Sequence, residues 1–305
     1  GTSPIPACAI AGAHESACPM LAFLTGVAVP VLSVILMLIV GLDLRVEDFR
    51  RVSAYPRTVL IATGGQVLLL PIMAAGLVYA VSANETASAG MIFLSMSPGG
   101  AISNFYTHLA RRDVALSITL TAVNTLVSLI SIPLWVAVFY TWLGLSGGTS
   151  TAPVATVLIQ LGLFVLTPIS AGMWLGQKFH AELERWKPHL VIGSLVLVVL
   201  LLGTVIWTVR EAFIATFAET ARLAVLFTLG AMLVGALLAR AVPATKRPVV
   251  VIESTVRNIP IALLVGGGLT DEPMYAGFIA AYFLVEVLIV IPYALIVRTM
   301  TSSAV

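Results

Sequence analysis

Charge is scarce in this sequence. Only 10% of its 305 residues are Asp, Glu, Lys or Arg, 59% are apolar, and the mean hydropathy is +1.06. Soluble domains carry roughly a quarter charged residues, so a water-facing globular fold is excluded and a polytopic membrane protein is indicated. The net charge is +2 and no basic run is present, which excludes a nucleic-acid partner. Cysteine is nearly absent. Cys8 and Cys18 both fall in the first twenty residues, where they either pair in an oxidising compartment or remain separate thiols. No CxxC motif and no metal-ligand spacing accompanies them. Histidine is sparse too. His108, His180 and His189 lie at the ends of apolar runs rather than beside a buried serine, so the nucleophile–base pair of an intramembrane hydrolase is missing. The first twenty residues have no basic n-region and do not read as a signal peptide. Residues 1–21 are expected to form an extracytoplasmic N-terminal segment, and Gly1 in place of Met suggests processing or an expression remnant.

What the chain has is apolar length. Runs of about 20 residues, enough to span a bilayer, fall at 22–42, 57–81, 88–109, 114–142, 152–176, 189–209, 219–240, 247–268 and 274–297. An all-α fold of nine transmembrane helices is expected. The connections sort by charge. One set contains Arg45, Arg50, Arg51 and Arg57; Arg111 and Arg112; Lys178, Arg185 and Lys187; Arg240, Lys246 and Arg247; and Arg298. The alternate set, SANET, LSGGTSTAP, the stretch around Arg210 and GLTDEP, is almost free of Lys and Arg. The positive-inside rule then puts the N-terminus outside and the C-terminus in the cytoplasm.

Polar residues within the runs are few and placed oddly for a membrane. SPGGAISN at 97–104 puts proline, two glycines, Ser103 and Asn104 in mid-span. The run VIESTVRNIPIALLV carries Glu253, Arg257, Asn258 and Pro260; the last span carries Glu286, and the second carries Gln66 ahead of Pro71. Ser117, Thr119, Thr121, Asn124 and Thr125 line the fourth span. Hydroxyls of this kind often serve interhelical packing, and Glu253 with Arg257 has the spacing of an ion pair one helical turn apart. The arrangement says more. Spans three and eight are interrupted at similar positions within two triplets, 57–142 and 219–298, that run in opposite directions. Paired interruptions in inverted repeats point to a transporter site near the midplane, because unwound backbone is tolerated there only when buried in protein or lining a cavity. Helix N-termini at such a break attract an anion, and free carbonyls attract a cation.

SPGGAISNFYTHLARRDVALSITLT resembles the signature of the bile acid:sodium symporter family over a long ungapped stretch, and span eight resembles that family's second crossing helix, with Glu253 and Asn258 in register. Gln66 and Pro71 also match, and the likeness covers about residues 25–300. The resemblance implies a bacterial inner-membrane protein with a core domain of two repeats, 57–142 and 219–298, whose discontinuous helices cross. A panel domain would comprise 22–56, including a cytoplasmic loop, and the helices of 143–218, with 299–305 as a cytoplasmic tail. Many bacterial members have ten helices; this chain matches the nine-helix, N-out form. The resemblance further implies a sodium site at Ser103, Asn104, Ser117, Thr121 and Glu253, oxygen donors suited to a hard cation. A second site would use Gln66 and a glutamine where this chain has Arg257. A guanidinium has five donors, no acceptor and a permanent charge, so Gln66 and Arg257 are expected to be the remnant of that site, and Glu286 is a candidate charge partner for Arg257. Ala101 stands where members often have threonine.

The expected function is secondary active transport of an organic anion, bile-acid-like or a small carboxylate such as pantoate, by alternating access. Gly100, Ala101, Ile102, Arg257 and Asn258 are the candidate substrate-binding residues, with one sodium ion at most, no organic cofactor, no partner beyond membrane lipid and no enzymatic activity. Proton-coupled or uncoupled carriage is the alternative. An arsenite- or auxin-type carrier of the same superfamily is the further one, although the cysteine on which arsenite relatives rely is absent from every span.

Overall fold

The computed structural model describes residues 23–81, 85–142, 154–208, 210–270 and 275–302. The expected 1–21 segment with Cys8 and Cys18, and the end of the 299–305 tail, lie outside the described residues. Every regular element among them is helical. A π-turn at Leu24–Ala28 leads into α1 (Val29–Asp43), and α2 (Val46–Ala54) follows as a short amphipathic helix. The long helices are α3 (Pro56–Val81), α6 (Val114–Trp142), α9 (His180–Thr208), α10 (Arg210–Ala239) and α13 (Tyr275–Ser302). Between α6 and α9, α7 (Val154–Leu161) and α8 (Thr167–Lys178) are joined by a π-turn at Gly162–Leu166.

Two stretches are broken. The first is α4 (Glu85–Met96) followed by α5 (Ile102–Leu109); the second is α11 (Arg247–Thr255) followed by α12 (Ile259–Leu269). Five stretches are long and apolar enough to cross a membrane: Pro56–Val81, Val114–Tyr140, Val154–Lys178, Phe213–Ala239 and Tyr275–Met300. Their outward faces carry Leu60, Ile72, Ile130, Ile159, Leu233 and Leu288, all large, apolar and exposed. Lipid is the solvent that such a face requires. Tyr79, Trp142 and Trp207 sit exposed near helix ends, where amphipathic rings suit the headgroup region.

The short connection between α5 and α6 is built for a tight reversal. Arg111 adopts a positive φ of 53°, the left-handed step that ends a helix. The amide of Arg111 donates to the His108 carbonyl at 2.9 Å and that of Arg112 to the Thr107 carbonyl at 3.0 Å, the paired closure of a Schellman turn. Asp113 then caps α6 by accepting from the Leu116 amide at 3.0 Å, and its second oxygen pairs with Lys246 ahead of α11.

Packing inside lipid gains little from hydrophobicity, because acyl chains are as apolar as leucine; close van der Waals fit decides instead. The α1–α8 pair shows this. Gly172 and Gly176, four residues apart on α8, meet the backbone of α1, and a Cβ on Gly41 would sit 3.0 Å from the Gly172 Cα. A Cβ on Gly176 would sit 2.7 Å from the Leu42 carbonyl oxygen. Ser33 of α1 donates to the Pro260 carbonyl of α12 at 3.3 Å, tying this pair to the second broken stretch.

Replacing Gly172 by Leu should therefore force the α1 and α8 backbones apart and cost roughly 1–3 kcal/mol, the usual penalty of overpacking. Thermal unfolding in detergent would register this as a lowered midpoint. Gly193→Ala, where an added Cβ meets nothing within 4 Å, should leave the midpoint in place.

Candidate functional site

The two interruptions meet each other. Gly99 and Arg257 form an antiparallel bridge; the Gly100 amide donates to the Val256 carbonyl at 3.2 Å and the Asn258 amide to the Pro98 carbonyl at 2.9 Å. Each break thereby satisfies backbone groups that the other leaves open, which an apolar surrounding demands. The two glycines are needed for contact rather than for turning. A Cβ on Gly99 would run into the Glu253 carboxylate, and one on Gly100 would lie 2.7 Å from the Arg257 carbonyl oxygen. Proline and Asn258 restart the helix on the far side: Pro260 occupies the first turn of α12, and the Asn258 side-chain oxygen accepts from the Ile261 amide at 3.1 Å. This is the N-cap arrangement that asparagine favours.

Glu253 is fully buried beside the bridge. Three hydroxyls donate to it: Ser103 at 2.6 Å and Ser117 at 3.2 Å to Oε2, and Thr121 at 2.8 Å to Oε1. Ser117 and Thr121 are one helical turn apart on α6, so they present their oxygens to the same place; Ser103 comes from the start of α5. Thr107 adds a hydrogen bond to the Ser117 hydroxyl at 3.3 Å. The side-chain oxygen of Asn104 is enclosed without a hydrogen-bond partner.

Arg257 is 3% exposed and turns away from Glu253. Its guanidinium donates to Gln66 Oε1 at 3.1 Å, to the Ser95 carbonyl at 3.4 Å and to the Ser97 carbonyl. Gln66 also accepts from the Asn124 amide at 3.2 Å. No ion pair joins Arg257 to either buried carboxylate among the described residues. Glu286, the candidate charge partner of Arg257, makes no direct contact with it in this structure, and neither Glu286 oxygen closes to hydrogen-bond distance of a partner. The physical reason is the break itself. Val256 is extended after the last turn of α11, so Arg257 leaves the helical path and its side chain takes the direction of α3 and α4. Of the candidate substrate residues, Ala101 is exposed, Ile102 is half-buried, and Gly100 and Asn258 are buried.

Two tyrosines hold this centre and were not singled out from the sequence. The Tyr282 hydroxyl donates to the Thr255 carbonyl at 2.6 Å and accepts from the Arg257 amide at 3.0 Å, bracketing the second break. Tyr106, also buried, neighbours Glu286. Both look like ordinary apolar-face aromatics in the sequence. The available signal was spacing, since Tyr282 lies one turn before Glu286 on the same helix face.

Apolar helices surround a buried, irregular backbone crossing that holds a carboxylate and a guanidinium, the architecture of an integral membrane protein. The chain belongs to the sodium bile acid symporter family, whose family model, described as Sodium Bile acid symporter family, matches residues 29–216. Similar curated proteins are the uncharacterized sodium-dependent transporter YocS of Bacillus subtilis (strain 168), 29% identical over 58% of this chain and 53% of that one, and sodium/bile acid cotransporter 4 of Homo sapiens, 28% identical over 56% and 40%. The probable sodium/metabolite cotransporter BASS2 of Oryza sativa subsp. japonica is 29% identical over 58% and 41%. The chain spans about half the length of the curated relatives it matches.

Tyr282→Phe should strand a buried amide and a buried carbonyl at the second break, a loss of about 1–3 kcal/mol. Hydrogen exchange at the Arg257 amide should quicken and the thermal midpoint should fall. Unchanged exchange there would show that the phenol does not hold the break.

Proposed function

We propose that this protein is a secondary active transporter that carries a small organic anion by alternating access, with at most one sodium ion per cycle. One observation carries the reading: a fully buried carboxylate, Glu253, sits where two interrupted helices meet, ringed by three hydroxyls with no cation paired to it. A carboxylate in that setting needs a counter-charge when ionised. Hydroxyl and amide oxygens around a single carboxylate suit a hard, weakly bound cation. Turning the Ser103, Ser117 and Thr121 hydroxyls would present lone pairs where hydrogens now point. The enclosed, unpartnered oxygen of Asn104 is available as a further donor. Among the described residues no cluster of three or more His, Cys, Asp or Glu competes as a transition-metal site.

Arg257 supports the limit of one ion. Its guanidinium engages the Gln66 oxygen and two backbone carbonyls, the neutral oxygens that a second cation would otherwise use. An anion is favoured as substrate because the N-termini of α5 and α12 begin at the two breaks, each with partial positive charge. Ala101 is exposed at that point, and Asn258 engages only its oxygen in capping, which leaves its amide nitrogen as a donor. Arg257 then acts on the substrate through the field of its fixed charge, its two terminal nitrogens being held by protein while Nε is enclosed without a partner. The words sodium-dependent, sodium/metabolite and sodium/bile acid in the relatives' names agree with this class.

The proposed architecture has nine crossings, N-terminus outside and C-terminus in the cytoplasm of an inner membrane, with lipid as the surrounding partner. The α4–α5 and α11–α12 stretches each have 20 helical residues, 12 and 8 or 9 and 11. At 1.5 Å per residue each amounts to about 30 Å, one bilayer core. Residues 57–142 and 219–298 form the inverted core repeats; 22–56 and 143–218 form the panel, for which the glycine-packed α1–α8 pair is the supporting feature.

Sodium chloride, compared with the choline or potassium salt, should raise the thermal midpoint of the purified protein, and Glu253→Gln should remove that difference. A sodium effect that persists in the Glu253→Gln variant would exclude this assignment. Arg257→Gln should steepen the sodium response, because the vacated oxygens admit a second ion. An unaltered response would make Arg257 structural and remove the one-ion limit.

A further inference from the structure

Glu286 stands apart from the site just described. It is fully buried on α13, and both carboxylate oxygens lack hydrogen-bond partners. Its polar neighbours are the hydroxyls of Tyr282 on its own helix and Tyr106 on α5, near enough to act on it as weak donors but outside ordinary hydrogen-bond distance. The Tyr106 hydroxyl is itself buried and unpartnered. Around Tyr106 the packing is apolar, from Ile252, Val256, Val290 and Ala294. Arg257 reaches Tyr282 through its backbone and does not pair with Glu286, and among the described residues no charged group acts on Glu286.

A carboxylate with only two distant phenols beside it and no counter-charge, enclosed in low-dielectric packing, cannot be carried as an anion at acceptable cost. Something must bind it. A hard cation gathers about six oxygens, whereas this pocket offers one carboxylate and two phenols, and one phenol is already spent on Thr255 and Arg257. The smallest ligand fits. A proton on either oxygen neutralises the group and turns an acceptor into a donor that can face the Tyr106 oxygen.

We propose that Glu286 is a proton-binding site, distinct from Glu253, that exchanges its proton with water during the transport cycle. The proposal rests on the transporter reading only for its role in that cycle. The position also gives a route to the crossing. Tyr282 neighbours Glu286 and brackets the second break from Thr255 to Arg257, so loss of the proton places a negative charge against the phenol that holds that backbone. A proton at Glu286 would stand in for the second coupling ion that Arg257 displaces.

The test uses the 305-residue chain in detergent micelles, with no substrate present. Infrared difference spectra between acid and alkaline buffer should contain the carbonyl stretch of a protonated carboxyl group. One component of that band should vanish in Glu286→Gln, which keeps the shape of the neutral acid, and the same component should persist in Glu253→Gln. Tyr106→Phe should keep that component but move its frequency, because the facing hydroxyl is gone. In heavy water the same component of the wild-type band should shift, which shows exchange with solvent. Identical spectra for wild type and Glu286→Gln would overturn the proposal, as would a component that never exchanges in heavy water. Since no substrate is involved, either failure leaves the sodium-site assignment at Glu253 standing.

Discussion

Broken backbone cannot be left open in a membrane, and the rest of this structure depends on how that debt of hydrogen bonds is met. Two helices stop mid-way, and each leaves amides and carbonyls that no lipid can satisfy. They satisfy one another across the Gly99–Arg257 bridge, through Gly100 to Val256 and Asn258 to Pro98. Residues far apart in sequence are thereby fixed at one point. That contact is close enough to exclude any side chain at Gly99 and Gly100. The Pro-Gly-Gly run is a consequence of two backbones and a carboxylate sharing one small volume.

Charge follows from the same geometry. Because α11 ends at Thr255 and the chain is extended at Val256, Glu253 and Arg257 do not share a helical surface despite their spacing of four. Glu253 stays with the hydroxyls of α5 and α6, and Arg257 passes to Gln66 and the carbonyls that end α4. A buried ion pair between them would have offset both charges and closed the centre to any ligand. Keeping them apart leaves a carboxylate with neutral oxygens around it, the arrangement on which the proposed cation site rests. Tyr282 joins the two arrangements by holding the backbone of Arg257 while neighbouring Glu286.

The sequence by itself determined the membrane setting, the helix positions and the two interruptions. Apolar length, and proline and glycine beside buried polar residues, are local properties that lipid makes decisive. Ser117 and Thr121 were legible as a pair for the same reason, since one helical turn places them on one face. The tertiary structure decided what the long and ambiguous side chains do. Arg257 has reach enough for Glu253, Glu286 or Gln66, and only the extended residue before it selects Gln66. Tyr106 and Tyr282 are indistinguishable from packing aromatics until α5, α11 and α13 are brought together around them. Glu286 was legible as a buried carboxylate, but that it lacks a partner could emerge only from the fold, because a partner is defined by three-dimensional distance and not by spacing along the chain.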